Sequence, residues 1–306
     1  MLTSLINFYI TAALQPILPI TLTQNIPIIN TSALSIEKLD FFSESPNSSI
    51  PIKRETFISP IIEAKSSIAM DNKTGTVLFE KNSHERRQIA SITKLMTATV
   101  VLEDLKEGEM ASVVTVSKQA NIEDGSQMFL RTGERITVEN LLYGLLINSA
   151  NDAAITLAEY NAGSIEKFVE KMNKKALSIG LTDTHFQNPV GLDNSQNYSS
   201  AYDVAKLARY AYKNEFIKRV APTKEMKIQS IDQKYTHELK STNELLDSYL
   251  KIKGLKTGRT DKAGLCMAAV AENDTGNDII TVVLGSPARF QESKILIDWV
   301  FRAYIW

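Results

Sequence analysis

The chain reads as an α+β domain in which strands at both ends of the folded region enclose a run of helices. Two short strand-like segments near its start, three more after Ile252 and helical apolar patterns between them predict this class. An antiparallel sheet formed by both ends of the domain, with an inserted helical subdomain, buries all of those apolar faces at once.

Each element has its own signal. Residues 67–70 (Ser-Ile-Ala-Met) and 76–79 (Thr-Val-Leu-Phe) read as strands, and Asp71-Asn-Lys-Thr-Gly75 between them has the composition of a turn. Residues 91–105 carry Ile92, Leu95, Met96, Val100 and Leu102 as a helix. Residues 137–147 present a face of Leu141, Leu142, Leu145 and Leu146, and 152–160 form a helix with Gly163 just beyond. The stretch 164–179 buries Ile165, Phe168, Val169, Met172, Ala176 and Ile179 and stops at Gly180. Ser200 is placed to cap a helix over 201–213. From Ile252 onward, 252–260, 264–271 and 279–285 read as consecutive strands, with turns at 260–263 and 273–278. A last helix covers 290–304, where Trp299, Tyr304 and Trp306 are expected to pack on the sheet.

Folded structure is expected to begin near Ala64, leaving 64–306 as the domain. Residues 1–24 are apolar and uncharged, a signal-like or membrane-anchor segment, although a basic start is missing and Asn7, Gln15, Pro16 and Pro19 interrupt it. Residues 25–63 are rich in Ser, Pro, Thr and Asn and read as a flexible linker.

Composition excludes several kinds of function. A net charge of −1, with both signs interspersed, gives no footprint for nucleic acid. The single cysteine, Cys266, rules out a disulfide within the chain and a Cys-based zinc site, and its apolar surroundings make it a buried strand residue. His84, His185 and His237 stand far apart without metalloprotease spacing, so no metal or other cofactor is expected. His185 reads as a structural hydrogen-bonder, and nothing points to a Ser-His-Asp triad.

Three short patterns bear on chemistry: S-x-x-K, S-x-N and K-T-G, which occur together in penicillin-binding proteins and class A β-lactamases. Singly they decide nothing. S-x-x-K begins at Ser35, Ser91, Ser164 and Ser248; S-x-N begins at Ser45, Ser149, Ser195 and Ser241; K-T-G begins at Lys73 and Lys256. Context separates them. Ser35 and Ser45 lie in the linker, Ser164 reads as a helix cap with Lys167 in solvent, and Ser248 precedes a strand, where Lys251 would point to the opposite face. Ser195 and Ser241 have ordinary loop roles, and Lys73-Thr-Gly75 is a hairpin turn. Ser91 instead opens an apolar helix, one turn before a lysine, Lys94, that is set among Ile92, Leu95 and Met96. Desolvation there lowers the lysine's pKa, and a neutral amine can take a serine proton. A capping serine with a snorkelling lysine is the competing reading, and local sequence alone does not choose between them. Ser149-Ala-Asn151 falls in a break between two helices. Lys256-Thr-Gly258 lies inside a strand, with Lys256 and Gly258 on one face, Thr257 on the other, and Gly258 leaving room for a ligand's backbone.

Six stretches, in order, resemble the D-alanyl-D-alanine carboxypeptidases of the penicillin-binding protein 5 type, serine peptidase family S11. They are Ala90-Ser-Ile-Thr-Lys-Leu-Met-Thr97, Gly125-Ser-Gln-Met-Phe-Leu130, Ile147-Asn-Ser-Ala-Asn-Asp-Ala-Ala154, Phe186-Gln-Asn-Pro-Val-Gly-Leu-Asp193, Gly254-Leu-Lys-Thr-Gly-Arg-Thr-Asp-Lys-Ala-Gly264 and Arg289-Phe-Gln-Glu-Ser-Lys294. The resemblance covers roughly 64–304 and implies a β-lactamase/transpeptidase-like fold. It also implies removal of the terminal D-alanine from peptidoglycan stem peptides ending in D-Ala-D-Ala, and covalent trapping by β-lactams.

On matching positions, the resemblance makes Ser91 the nucleophile and Lys94 its base. Ser149 becomes a proton relay, Asn151 a holder of the peptide amide, and the N–H groups of Ser91 and Arg259 an oxyanion hole. Lys256, Thr257, Gly258 and Arg289 then form the carboxylate-binding side. The implied location is extracytoplasmic, in a bacterial cell envelope. Two departures stand out. The family's C-terminal β-rich domain and amphipathic anchor have no counterpart after the last helix, which leaves membrane association to residues 1–24. Arg259 also stands where the family more often has His or Tyr. The alternatives are a D,D-endopeptidase or β-lactamase of the same fold, or a non-catalytic envelope protein that binds peptidoglycan or β-lactams. Ser91 and Lys94 together argue against the last, since a pure binder needs neither.

Overall fold

A computed structural model describes residues 50–121 and 125–306. After a two-residue strand, β1 (Ile52–Lys53), comes a hairpin of β2 (Ser66–Asp71) and β3 (Val77–Lys81). Its turn is fixed by the Asp71 carboxylate, which accepts from the Thr74 N–H (2.6 Å) and hydroxyl (2.7 Å). A 3₁₀ turn, Ala90–Thr93, leads into α1 (Lys94–Asp104). The short strands β4 (Val113–Thr115) and β5 (Arg135–Thr137) then pair with each other. Five helices follow: α2 (Val138–Leu146), α3 (Asn151–Ala162), α4 (Ile165–Ser178), α5 (Ala201–Ala211) and α6 (Glu215–Val220). The hairpin β6 (Glu225–Gln229) and β7 (Thr236–Lys240) precedes three long strands, β8 (Lys251–Thr260), β9 (Gly264–Glu272) and β10 (Asp278–Ser286). The chain closes with α7 (Arg289–Ala303) and β11 (Tyr304–Ile305), which pairs with β1.

The main sheet has the order β3-β2-β10-β9-β8, with every pair antiparallel. β2 lies beside β10, so the two ends of the domain do share one sheet, as the sequence predicts. Strand alternation sends Ile68, Met70, Cys266, Ala268, Ile280 and Val282 to one face, against Ile92, Leu95 and Met96 of the helical part. Ala69, Met267, Ala269, Ile279 and Val283 take the other, against Leu296, Ile297 and Val300 of α7. Each fully buried Leu, Ile or Met contributes about 2 kcal/mol of apolar transfer. With both faces covered, the central strands read as nearly continuous apolar runs. β8 is an edge strand, and its outer side borders the site described below.

α1 is the core of the helical part. Lys94 through Val101 are buried all round, including Thr97, whose hydroxyl donates to the Pro189 carbonyl (2.6 Å), and Thr99, whose hydroxyl donates back to Leu95 (2.7 Å). The cap expected at Ser200 is present, its Oγ accepting from the Asp203 N–H at 3.1 Å. Aromatic packing at the C-terminal end follows expectation: Trp299 Nε1 donates to the Ile58 carbonyl, the Tyr304 hydroxyl to the Leu78 carbonyl, and Trp306 Nε1 to Asp71.

Three boundaries move. The helix expected from Ser91 starts as a 3₁₀ turn and becomes α-helical at Lys94, and Thr137 caps α2 instead of lying inside it. Residues 50–63, assigned by composition to the linker, join the folded unit. β1 pairs with β11, Ile62 is buried, and the Glu63 and Ala64 N–H groups donate to Glu292. Those contacts are made largely by backbone, which composition does not encode. The remaining linker, 25–49, and the apolar segment 1–24 lie outside the described residues. Among the described residues no helix is long and apolar enough to cross a membrane.

Candidate active site

The site lies where the 3₁₀ turn, the α2–α3 break and the edge of β8 meet. In a 3₁₀ turn, side chains three apart eclipse, so Lys94 stands directly over Ser91. Its Nζ lies 2.9 Å from Ser91 Oγ and donates to the Val190 carbonyl at 2.8 Å. Lys94 is fully buried, and burial pushes its pKa well below the usual lysine range; the charge of Lys256 adds to this and Asp152 opposes it. Burial therefore favours the uncharged amine, whose lone pair can take the serine proton.

The Val190 carbonyl reaches Lys94 because the loop carrying it closes on the 3₁₀ turn. Asn188 Oδ1 accepts from the N–H groups of Val190 and Gly191 (3.2 and 2.6 Å). Gly191 has φ +84°, and a Cβ there would fall 2.0 Å from the Ala90 carbonyl oxygen, so no side chain fits.

Ser149, at φ +60° between α2 and α3, receives the second buried lysine: Lys256 Nζ donates to Ser149 Oγ (2.8 Å) and to the Thr257 carbonyl (2.9 Å). Burial, with a further contribution from Arg289, lowers the Lys256 pKa to about 7. Asn151 begins α3 and its N–H donates to the Ser126 carbonyl at 2.7 Å. Next to it, the buried Asp152 carboxylate accepts from the Met128 and Leu130 N–H groups (3.1 and 2.9 Å), fastening the 125–130 segment to the same break.

On β8 the expected alternation holds. Lys256 and Gly258 face the helical part, while Thr257 faces away and meets the Thr242 hydroxyl at 2.6 Å. The use of Gly258 differs from expectation. A Cβ there would sit 2.9 Å from the Ile89 carbonyl oxygen and 3.0 Å from the Ser91 nitrogen. The glycine therefore admits the chain's own 3₁₀ turn against the strand, bringing Ser91 up to the edge of β8. Arg289, first residue of α7, donates from Nη1 to the Gly258 carbonyl at 2.8 Å, and Arg259 is exposed.

These groups border one cleft of about 160 Å³. Ser91, Ser149, Asn151, Thr257, Gly258, Arg259 and Arg289 line it, and the buried Lys94 and Lys256 stand immediately behind the two serines. All nine sequence-predicted residues thus come together. Sequence reasoning assigned no role to the Val190 carbonyl, Thr242, Ser126 or Asp152. The first has no signature, because every residue brings a carbonyl. Asp152 is an acidic residue in the first turn of a helix, a position with an ordinary explanation of its own.

The competing matches lie elsewhere. Ser164 Oγ caps α4, accepting from the Lys167 N–H at 3.3 Å, and Lys167 is exposed. The Ser248 hydroxyl donates to the Leu245 carbonyl, and Lys251 pairs with Asp274. Asn197 donates to Thr93 from behind the turn, and Asn243 caps a 3₁₀ turn at Glu244–Asp247. Gly75 of the first K-T-G closes the β2–β3 turn at φ +79°. Ser35 and Ser45 lie outside the described residues. Cys266 is buried in β9 with its thiol pushed up to about 11, and His185 Nδ1 is bonded to the Gln196 carbonyl, both as expected.

Comparison with known proteins agrees with this geometry. Residues 53–288 match the model of the D-alanyl-D-alanine carboxypeptidase family, peptidase S11. The chain belongs to that family. A curated relative, D-alanyl-D-alanine carboxypeptidase DacF of Bacillus subtilis, is 40% identical over 247 residues, covering 79% of this chain and 63% of the relative. The family's solved structures include the Streptomyces K15 DD-transpeptidase, with TM-score 0.75 and 34% identity over 80% of this chain and 99% of that one. Penicillin-binding protein 5 from Haemophilus influenzae also gives TM-score 0.75, with 35% identity over 80% of this chain and 72% of that one. The chain thus spans a little under two thirds of the length of the Bacillus relative. These likenesses agree with the fold class expected from the sequence, an antiparallel sheet with a helical part.

Proposed function

We propose that the chain is a serine-type D-Ala-D-Ala carboxypeptidase that removes the terminal D-alanine of peptidoglycan stem peptides through an acyl-enzyme on Ser91. One observation carries the reading: a desolvated amine, Lys94, lies 2.9 Å from Ser91 Oγ at the base of a cleft whose far side holds Lys256 and Arg289.

The chemistry follows from the positions. Lys94 takes the Ser91 proton as Oγ attacks the carbonyl of the penultimate D-alanine. The N–H groups of Ser91 and Arg259 receive the developing oxyanion, a pairing supported by the close approach of the Ser91 nitrogen to Gly258. Ser149, in contact with Lys256, passes a proton to the leaving D-alanine amine. Lys256, Thr257 and Arg289 hold the terminal carboxylate, a task that suits two cations and a hydroxyl. Asn151 holds the peptide amide, and water then releases the acyl group. A β-lactam presents the same carbonyl and carboxylate, but its amine stays tethered after ring opening, so the adduct persists. Stem peptides of this kind lie outside the cytoplasm in a bacterial envelope, and residues 1–24 would supply the export signal or anchor.

Intact mass after exposure to benzylpenicillin tests the proposal. Wild type is expected to gain one penicillin mass and Ser91→Ala none, with D-alanine released from a pentapeptide by wild type alone. An unmodified wild type would remove the reading, and an adduct cleared within seconds would turn it into a β-lactamase.

A further inference from the structure

The mechanism above leaves a buried ionisable pair unused: His237 of β7 and Glu134, which directly precedes β5. The imidazole is bonded at each ring nitrogen, Nδ1 to the Met128 carbonyl at 2.7 Å and Nε2 to a Glu134 carboxylate oxygen at 2.6 Å. A carbonyl only accepts, so Nδ1 carries its hydrogen and donates. The other Glu134 oxygen accepts from the Arg131 N–H at 3.0 Å, which fixes the carboxylate and, through it, the ring.

What the ring holds is a wall of the cleft. Met128 belongs to the 125–130 segment, whose Gly125 and Ser126 line the site. The Ser126 hydroxyl donates to the Asn148 carbonyl at 2.5 Å, and its carbonyl accepts from the Asn151 N–H at 2.7 Å. The Asn148 amide donates in turn to the Gln127 carbonyl at 2.7 Å. Ser149 therefore lies between residues tied to this segment. The segment is not relaxed by itself, for Phe129 has φ +65°, a region that bulky side chains avoid, and its ring is exposed. Such a conformation persists only where neighbouring groups fix it. Asp152 fixes the Met128 and Leu130 N–H groups, and His237 fixes the carbonyl between them from another element. We infer that His237 is a positioning residue for acylation. Its Nδ1 bond to Met128 holds the wall that carries Ser126, and with it the Ser149 turn, in place beside Ser91. Glu134 orients the ring for that task. The inference rests on the acyl-enzyme reading and adds to it a residue outside the cleft.

Two substitutions divide the ring's bonds between them. An asparagine amide nitrogen takes the place of Nδ1, and a glutamine amide nitrogen that of Nε2. His237→Asn therefore keeps the Met128 bond and loses the one to Glu134, whereas His237→Gln does the reverse. The second-order rate constant for acylation by benzylpenicillin is measured beside Tm. His237→Asn is expected to stay within about threefold of wild type in acylation while its Tm falls furthest, because a buried carboxylate loses a hydrogen bond. His237→Gln should acylate roughly 10-fold more slowly with the smaller loss of Tm, since a displaced wall misplaces the reacting groups. A role in stability alone predicts acylation falling in step with Tm. That order, or unchanged acylation in both variants, overturns the inference and leaves the acyl-enzyme reading intact. Glu134→Gln gives a second check should His237→Asn not fold. A neutral imidazole then still donates from Nδ1 to Met128 and accepts at Nε2 from the new amide. Acylation close to wild type is expected there, and a loss like that of His237→Gln would overturn the inference. A wild type that benzylpenicillin does not acylate removes the acyl-enzyme reading itself, and the inference falls with it.

Discussion

Among the described residues, two serines open helices with a lysine three residues on, and they have opposite fates. At Ser164 the hydroxyl caps α4 and Lys167 extends into solvent; at Ser91 the lysine turns inward, is wholly buried, and meets the serine oxygen. The letters are the same. What differs is the surroundings: α4 lies on the surface with one apolar stripe, whereas α1 is enclosed by other helices and the sheet. A solvated ammonium holds its proton, and burial favours the free amine, so the same pattern yields a cap in one place and the proposed nucleophile–base pair in the other. The two K-T-G matches repeat the lesson, one closing a turn and one supplying a buried lysine behind Ser149.

The comparison is broken most directly at the two lysines. Lys94→Ala removes the base and is expected to slow penicillin acylation of Ser91 roughly 10²- to 10⁴-fold, the usual contribution of a positioned general base. Lys167→Ala should leave that rate unchanged. Stopped-flow acylation of both variants decides the matter; a Lys94→Ala rate within threefold of wild type would mean that the serine proton leaves by another route.

A smaller effect separates the two buried lysines from each other. In the proposed mechanism Lys94 acts as the free amine and Lys256 as the ammonium, so activity requires a pH above the strongly lowered pKa of the first and below that of the second, about 7. The second-order rate constant for acylation should therefore fall as pH rises through about 7. Lys256→Arg, which keeps its charge, should move that limb upward. Lys256→Ala is expected to cost roughly 10- to 100-fold on a substrate with a free terminal carboxylate, in line with about 1.5–3 kcal/mol for a hydrogen bond to a charged group. A C-terminally amidated substrate should lose that sensitivity. An alkaline limb unmoved in Lys256→Arg would show that another group sets it.

How far the sequence led depended on what each feature is made of. β8, β9 and β10 were legible to within a residue because burial on both faces leaves a long apolar run between turns. The caps at Ser164 and Ser200 were legible because they are side-chain chemistry. The β6–β7 hairpin carried a readable alternation, with Met226, Ile228, His237 and Leu239 inward, but charged residues between them masked it. β1 and β11 are two residues each, too short for any period. At the site, the structure brings every charged or hydroxyl-bearing residue named from sequence into one cleft or immediately behind it, while the Val190 carbonyl and the packing role of Gly258 had no sequence signal. Both depend on which backbone segments come together, and that is settled by tertiary packing.

The weakest test of the comparison bears on Ser164. If its hydroxyl is a cap and nothing more, Ser164→Ala should destabilise the protein by about 1 kcal/mol, the common cost of losing a serine cap, and leave acylation untouched. Ser164→Asp should restore the loss, because a carboxylate accepts the same N–H and also suits the positive end of α4. Chemical denaturation of the three proteins beside their penicillin acylation rates measures both halves. A change in acylation at Ser164 without a change in stability would contradict the distinction drawn here, since nothing at a solvent-facing cap should reach a cleft built on α1 and β8.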